Sequence, residues 1–423
     1  MKVYTTDKIR NVVLLGHGSA GKTTLSEAMC YLAGVTSRLG SITDGNTVSD
    51  FDKIEQKRGI SLNTSLLPIE WNDYKINILD TPGYFDFIGE VEQAISVADA
   101  AIIVISGKDG LQVGAEKAWD ICEKYNLPRM IFVTDMDIDT ASYRDVIDKL
   151  TEKYGKRIAP FNLPIRENEK LVGYVNVIQE KGFRYEGKDA VPCDVPDYNV
   201  EYMNQYRDTL MEAVAETSEE FMDRYFSGDT FSEAEIRAAV RNNILDGSIV
   251  PVEMGSGIEC KGVYTLLDDI VKYLPSAESR KMNGINLKTN EIFEADFDFA
   301  KPKTAFIFKT IVDPYIGRYS LIKVRSGVLK TDDLVYNSRT TEEAKIGKIY
   351  TMMGNKATEV PELHAGDLGA LAKFGNAMTG DTLSTKANPV QYAPMDISTP
   401  YTYIRYRGKN KDEIDKVQQA LTK

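Results

Sequence analysis

Residues 16–23 read Gly-His-Gly-Ser-Ala-Gly-Lys-Thr, between an apolar run at Val12 to Leu15 and a stretch of helical periodicity from Leu25 to Leu32. The string fits the pattern GxxxxGK[ST], in which backbone N–H groups freed of side-chain bulk wrap an anion at a helix N-terminus, where the helix dipole also favours negative charge. A strand ahead and a helix behind are the setting that pattern needs. On this reading Gly16, His17, Gly18, Ser19, Ala20 and Gly21 form a phosphate cradle, Lys22 reaches the β- and γ-phosphates, and Thr23 holds Mg²⁺. His17 sets the loop backbone rather than acting as an acid or base.

The rest of the chain supplies a scaffold for such a loop. Apolar, β-branched runs recur at Asn11 to Leu15, Ile76 to Leu79, Ala101 to Ser106, Met130 to Val133 and Ile249 to Met254, most followed by a turn and a helical pattern. Alternating strand and helix predicts a parallel, doubly wound α/β sheet with helices on both faces. Between the fourth and fifth runs, about residues 155–247 are too many for a simple crossover. They read as an inserted α+β subdomain, with strands at Leu171 to Val177 and Phe183 to Tyr185 and helices at Glu201 to Phe226 and Ser232 to Leu245.

After Pro275 the period changes. Short strands at Phe306 to Val312, Tyr319 to Val324, Leu334 to Tyr336 and Leu368 to Phe374 suggest a small β-barrel, with Ser276 to Ala300 leading into it. A strand over Tyr401 to Tyr406 and a helix over Lys411 to Leu421 close the chain, too little for a domain of their own. The expected organisation is a nucleotide-binding domain at 1–275, a barrel at 276–395 and the start of a third domain at 396–423, so the chain reads as the N-terminal part of a longer protein.

Composition excludes several classes. The 423 residues are 43% apolar with no run long enough to span a membrane, and Met1 to Arg10 lack the apolar core of a secretory signal, which points to the cytoplasm. Four scattered cysteines and two histidines argue against a zinc site. A net charge of −12 argues against a broad electrostatic grip on nucleic acid. The acidic pairs Asp268 with Asp269 and Glu342 with Glu343 read as solvated faces.

A second motif, Asp80-Thr81-Pro82-Gly83-Tyr84, follows the strand Ile76 to Leu79. An acid at a strand end beside the phosphate loop can hold Mg²⁺ through water, and Gly83 can offer an unhindered N–H to the γ-phosphate. Loss of that phosphate releases the segment that follows, which is how GTPase switches order and disorder their loops.

With these motifs in place, the chain resembles a translational GTPase, and more closely elongation factor G. Gly16 to Thr24, Lys57-Arg58-Gly59-Ile60-Ser61, Asp80 to Tyr84, Gly255-Ser256-Gly257 and Tyr273-Leu274-Pro275 carry the resemblance. So do the barrel stretches Val324-Arg325-Ser326-Gly327-Val328-Leu329, Ala365-Gly366-Asp367 and Thr379-Gly380-Asp381-Thr382. The insertion fits that factor rather than the simpler elongation factor Tu, and the end of the chain fits the first strand and helix of a ferredoxin-like domain.

The resemblance implies GTP and GDP as ligands, Mg²⁺ as cofactor, the ribosome as partner, no membrane association and a monomer. Gly21, Lys22, Thr23 and Thr24 would contact phosphate and Mg²⁺, Asp80 would complete the metal site, and Ser61 would stand where the family has its switch threonine. Thr134-Asp135-Met136-Asp137 stands where the family reads guanine with NKxD. The amide and the lysine are missing, which leaves Asp137 and the backbone at Ser256 and Gly257 to select guanine, with lowered affinity.

Tyr84 occupies the position of the histidine that positions the attacking water. A phenol can hydrogen-bond that water but does not become a cation. Gly18 and Ser19 replace an aliphatic and an acidic residue, and the lost bulk at 18 makes room for Tyr84. With Tyr84, Lys22 and Gly83 as the catalytic groups, slow intrinsic hydrolysis is expected, stimulated by the ribosome or not at all. In the other reading of Tyr84, it packs with Phe85 and Phe87 under the switch. Two functions remain open: a ribosome-associated GTPase, or a weakly or non-hydrolysing nucleotide-sensing switch or ribosomal protection protein.

Overall fold

The computed structural model describes residues 2–187, 189–313, 317–400 and 402–422. Its first half alternates strand and helix: β1 (Ile9–Gly16), α1 (Lys22–Leu32), α2 (Lys53–Arg58), β2 (Ser65–Trp71), β3 (Tyr74–Asp80), α3 (Ile88–Ile95), β4 (Ala100–Ser106), α4 (Val113–Lys124), β5 (Arg129–Thr134), α5 (Tyr143–Tyr154) and β6 (Ile158–Pro160). The insertion follows as β7 (Asn162–Glu167), β8 (Lys170–Asn176), β9 (Lys181–Glu186), β10 (Asp189–Cys193), α6 (Asp197–Ala215), α7 (Glu219–Ser227) and α8 (Glu233–Leu245). The chain then returns through β11 (Val250–Met254) and α9 (Val263–Tyr273).

The main sheet has seven strands in the order β2-β3-β1-β4-β5-β11-β6. β1 lies parallel between β3 and β4, with Val12 beside Ile78 and Ala100. Side chains alternate across it: Val13 and Leu15 pack toward α3 and α4, whereas Val12 and Leu14 pack toward α1 and α9. Burial on both faces is why these strands are apolar runs without alternation.

Two strands of the main sheet were not expected from the sequence. β2 runs antiparallel to β3, with Leu67 opposite Ile78, so the sheet is not wholly parallel; β6 adds a further edge beside β11. The helix expected over Glu201 to Phe226 is two helices, because the Ser218 hydroxyl accepts from Phe221 N at 3.1 Å and starts α7 afresh. Asp269, taken with Asp268 as a solvated face, is buried in α9.

From residue 304 an eight-stranded antiparallel sheet forms around its own core of Ala305, Ile307, Ile322, Val324, Leu371 and Leu383. The stretch read as a lead into it holds two strands, Asn283–Asn286 and Ile292–Glu294, which pair with each other, and the first of them also pairs with Val390–Tyr392. The final helix, Lys411–Thr422, is present, but the strand expected before it is not: residues 402–406 make no ladder, and Tyr401 lies outside the described residues. With no neighbouring strand to bond, Tyr403 and Ile404 stay 81% and 87% exposed.

Candidate functional site

The loop from β1 to α1 is bent by backbone that only certain residues accept. Gly16 and Gly21 take φ of 142° and 88°, and Ser19 sits at φ 65°. The loop wraps a cleft of about 260 Å³ whose lining includes Gly18, Ser19, Gly21, Lys22, Thr23, Thr24, Ser61, Gly83, Tyr84 and Asp135. Gly16 lines a neighbouring groove of about 480 Å³ between Tyr84, α3 and α4. His17 faces away from the cleft: its Nδ1 accepts from Gly114 N at 3.2 Å, and Phe85 packs edge-on at 6.5 Å.

Lys22 is buried, and its ammonium donates to His17 O at 2.7 Å and Gly16 O at 3.2 Å. Burial pulls its pKa down to about 8 against the attraction of Asp80 and Asp50. A cation hydrogen-bonded to two carbonyls at the head of a helix is suited to an anion of high charge.

The metal-ligand candidates converge. Thr23 Oγ1 and Ser61 Oγ are 3.1 Å apart. Ser61 is brought there by α2, which Asp52 caps through Ile54 N at 2.6 Å, while Glu55 reaches past the helix to accept from Leu62 N at 2.9 Å. Asp80, at the end of β3, is fully buried behind them, with Ser26 Oγ donating to Oδ2 at 3.2 Å and no hydrogen-bond partner for Oδ1 among the described residues. Burial holds its carboxyl above the usual range.

Asp50 lines the same cleft and was not recognised from sequence. It is buried, and its pKa is pushed up to about 7 by burial and then by Asp80, with the nearby Ser61 hydroxyl opposing the shift. Its signal was slight: of two acids ahead of α2, Asp52 is used as the cap and Asp50 is left over. Among the described residues no three His, Cys, Asp or Glu side chains cluster for a metal. Hydroxyls, water-linked carboxylates and phosphate oxygens are instead the donor set Mg²⁺ takes in nucleotide sites.

Gly83 is pressed onto the phosphate loop. A Cβ there would fall 2.7 Å from Gly18 N and His17 O and collide with the Lys22 ammonium, so no other residue fits. Tyr84 lies over Gly18 in the same way, since a Cβ on Gly18 would come within 2.9 Å of the phenol ring. The ring is 41% exposed and faces both the cleft and the neighbouring groove.

At the far end of the cleft, Thr134 Oγ1 donates to Ala20 O at 2.8 Å, tying β5 to the phosphate loop. Asp135 takes φ 60° and accepts from Ser106 Oγ at 2.6 Å. Asp137 is half-buried and does not line the cleft, where Asp135 does. Ser256 is buried, with its N bonded to Lys261 O at 2.9 Å, and Gly257 packs so closely on Thr24 that a Cβ would lie 3.1 Å from it.

A doubly wound sheet carrying this loop, and a glycine-bearing switch after β3, define a P-loop nucleotide-binding protein. Residues 7–276 match the family model for the elongation factor Tu GTP binding domain, and residues 302–386 match elongation factor G domain 2. A crystal structure of a protein from Thermus thermophilus superposes with a TM-score of 0.84 at 29% identity, over 98% of this chain and 60% of that one. This chain therefore spans 60% of the length of that relative. The chain belongs to the translational GTPases and has the architecture of elongation factor G.

Proposed function

We propose that this chain binds GTP with Mg²⁺, hydrolyses it slowly to GDP, and works on the ribosome as a cytoplasmic monomer in the manner of elongation factor G. Its units would be the GTP-binding domain at 1–275, the barrel at 276–395 and the third domain beginning at 396. The observation that carries this reading is the convergence of Thr23 and Ser61 at 3.1 Å beside the buried Asp80, with Lys22 at the cradle. A protein that had ceased to bind nucleoside triphosphate would have little use for that set.

Thr23 and Ser61 would hold Mg²⁺ directly, and Asp80 and Asp50 through water; bound there, the ion would offset charge between the β- and γ-phosphates. Lys22 would release its carbonyl partners and turn to the phosphates. Gly83 N–H would hold the γ-phosphate, and Tyr84 would accept or donate a hydrogen bond to the water that attacks it, breaking the bond to the β–γ bridging oxygen. Positioning and charge stabilisation are most of what phosphoryl transfer needs. Asp137 would accept from guanine N1 and N2, with Asp135, Ser256 and Gly257 shaping the base end.

One observation favours the second reading, a switch that hydrolyses little. Tyr84 already rests on the phosphate loop at Gly18, in the place where a water-positioning group would have to move. Single-turnover GTP hydrolysis with and without ribosomes separates the two. The enzyme reading expects ribosomes to raise the rate by at least about tenfold, with Tyr84→Phe losing most of that gain. An unchanged rate on ribosomes that the protein demonstrably binds supports the sensing switch instead.

A further inference from the structure

The first hairpin of the insertion carries a bulge: Ile165 pairs with Gly173, but Arg166 pairs with Leu171. The extra residue is Val172 on β8, so Arg166 lies on the strand facing the bulge, where the ladder is disrupted and the local twist increases. Here Arg166 reaches out of the insertion to the loop after β5, where Nη2 donates to Met136 O at 2.8 Å and to Ala141 O at 3.3 Å. Nη1 is held by Glu169 O in its own hairpin turn, and Arg166 N donates to the Tyr198 hydroxyl at 3.0 Å. The guanidinium is thus fixed from the insertion side and grips two carbonyls that flank Asp137.

The second loop at the base end leans on the same hairpin. Lys261 Nζ donates to Leu171 O, the residue paired with Arg166, at 2.8 Å. Ser256 N bonds to Lys261 O at 2.9 Å, and Met136 N bonds to Gly255 O at 3.1 Å, so the two loops also hold each other.

We infer that Arg166 is a positioning residue for guanine recognition, fixing Met136 and Ala141 and with them the loop that carries Asp135 and Asp137 at the base end. The inference rests on the guanine-nucleotide reading above and deepens it by assigning the insertion a part in base selectivity. A planar, forked cation can bridge two carbonyls in one geometry; a lysine ammonium on a flexible stem cannot hold both in the same way. Recognition of this kind needs placement to about 0.5 Å.

Calorimetric titration of the full chain with GDP and with inosine diphosphate, which lacks only the 2-amino group, reads that placement. The wild-type chain should prefer GDP. Arg166→Ala should weaken GDP by about tenfold and inosine diphosphate much less, so that the ratio of the two affinities falls toward one. Arg166→Lys, which keeps the charge and bulk if the alanine variant folds poorly, should show the same loss of ratio. Arg184→Ala, which breaks the exposed Arg184–Glu167 pair on the same sheet, should keep the wild-type ratio. A loose fold would weaken both nucleotides alike, so equal losses in both Arg166 variants, or an unchanged ratio, overturn the inference while leaving the guanine reading standing. A wild-type chain that does not distinguish the two nucleotides overturns the guanine reading and takes this inference with it.

Discussion

Tyr84 and Gly18 occupy one space. The phenol can lie on the phosphate loop only because position 18 has no side chain, and a Cβ there would sit 2.9 Å from the ring. The two departures from the family pattern are therefore one structural change, made at two positions distant in sequence. Gly18→Val should lift Tyr84 off the loop and lower single-turnover GTP hydrolysis about tenfold, as Tyr84→Phe should. Because one variant displaces the phenol hydroxyl and the other deletes it, the double variant should lose no more than either single one. Losses that multiply would show that the two residues act separately. Thr134 is a comparable case of partial retention: its hydroxyl keeps β5 tied to Ala20 O at 2.8 Å, but it has no amide to offer a base.

At the scale of elements, α9 meets β11 through acids. Glu253 is buried with neither carboxylate oxygen bonded to a conventional donor, and Asp269 is buried against it, with Lys272 at 3.6 Å, Asp268 alongside, and Tyr174 and Tyr273 close by. Burial disfavours two adjacent charges, so the pair holds a proton well above the usual carboxylate range. A proton held by the pair leaves a single charge, which Lys272 balances. The folded chain thus binds more protons than the unfolded chain as pH rises past about 4, and stability falls through that window.

Asp269→Asn removes the like charge and should melt above wild type at pH 7 by about 2–4 °C, with the gap closing toward pH 4. Thermal melts at the two pH values check it; a gap of the same size at both would contradict a titrating pair.

This contact was illegible in the sequence, where Asp268 and Asp269 read as an ordinary solvated pair. Burial is decided by what packs on a helix, and the partner here lies on another strand. β2 was missed for a related reason, since its place at the sheet edge is set by pairing with β3 rather than by its own pattern. The phosphate loop and Asp80 to Tyr84 were legible because each is a contiguous string with its strand attached. Asp50 was not, because its role comes from folding back beside Asp80. The strand over residues 402–406 shows the opposite error: its pattern suits a strand, but a strand needs neighbours.

Across the whole molecule, the barrel is clamped to the GTP-binding sheet through buried polar groups rather than apolar surface alone. Lys75 on β3 pairs with Asp367 at 2.7 Å, and Lys323 pairs with Asp99 at 2.6 Å. Asn77 bonds Asp367 at 3.1 Å, and Asn11, on the strand that leads to the phosphate loop, donates to Gly366 O at 2.7 Å. Glu90 joins the switches to this frame: it accepts from Thr64 N at 2.6 Å and pairs with Lys309 of the barrel. Gly354 N adds a bond to Leu66 O at 3.0 Å.

Asp367→Ala leaves Lys75 buried without its partner and should cost about 3–5 kcal/mol in urea denaturation. Replacing both with apolar residues, Lys75→Met with Asp367→Leu, should recover most of it. A small loss from Asp367→Ala alone would mean that the two units are held by other contacts.

In the proposed function the cleft has a full set of phosphate and Mg²⁺ groups, and guanine is left to Asp137 and backbone. Calorimetric titration of this chain with GDP and ADP, each with and without Mg²⁺, tests that directly. The account predicts Mg²⁺-sensitive binding of GDP and weaker binding of ADP, with discrimination short of the roughly 10⁴-fold that a fully built polar site reaches. Equal affinity for the two nucleotides, or no binding of either, would contradict it.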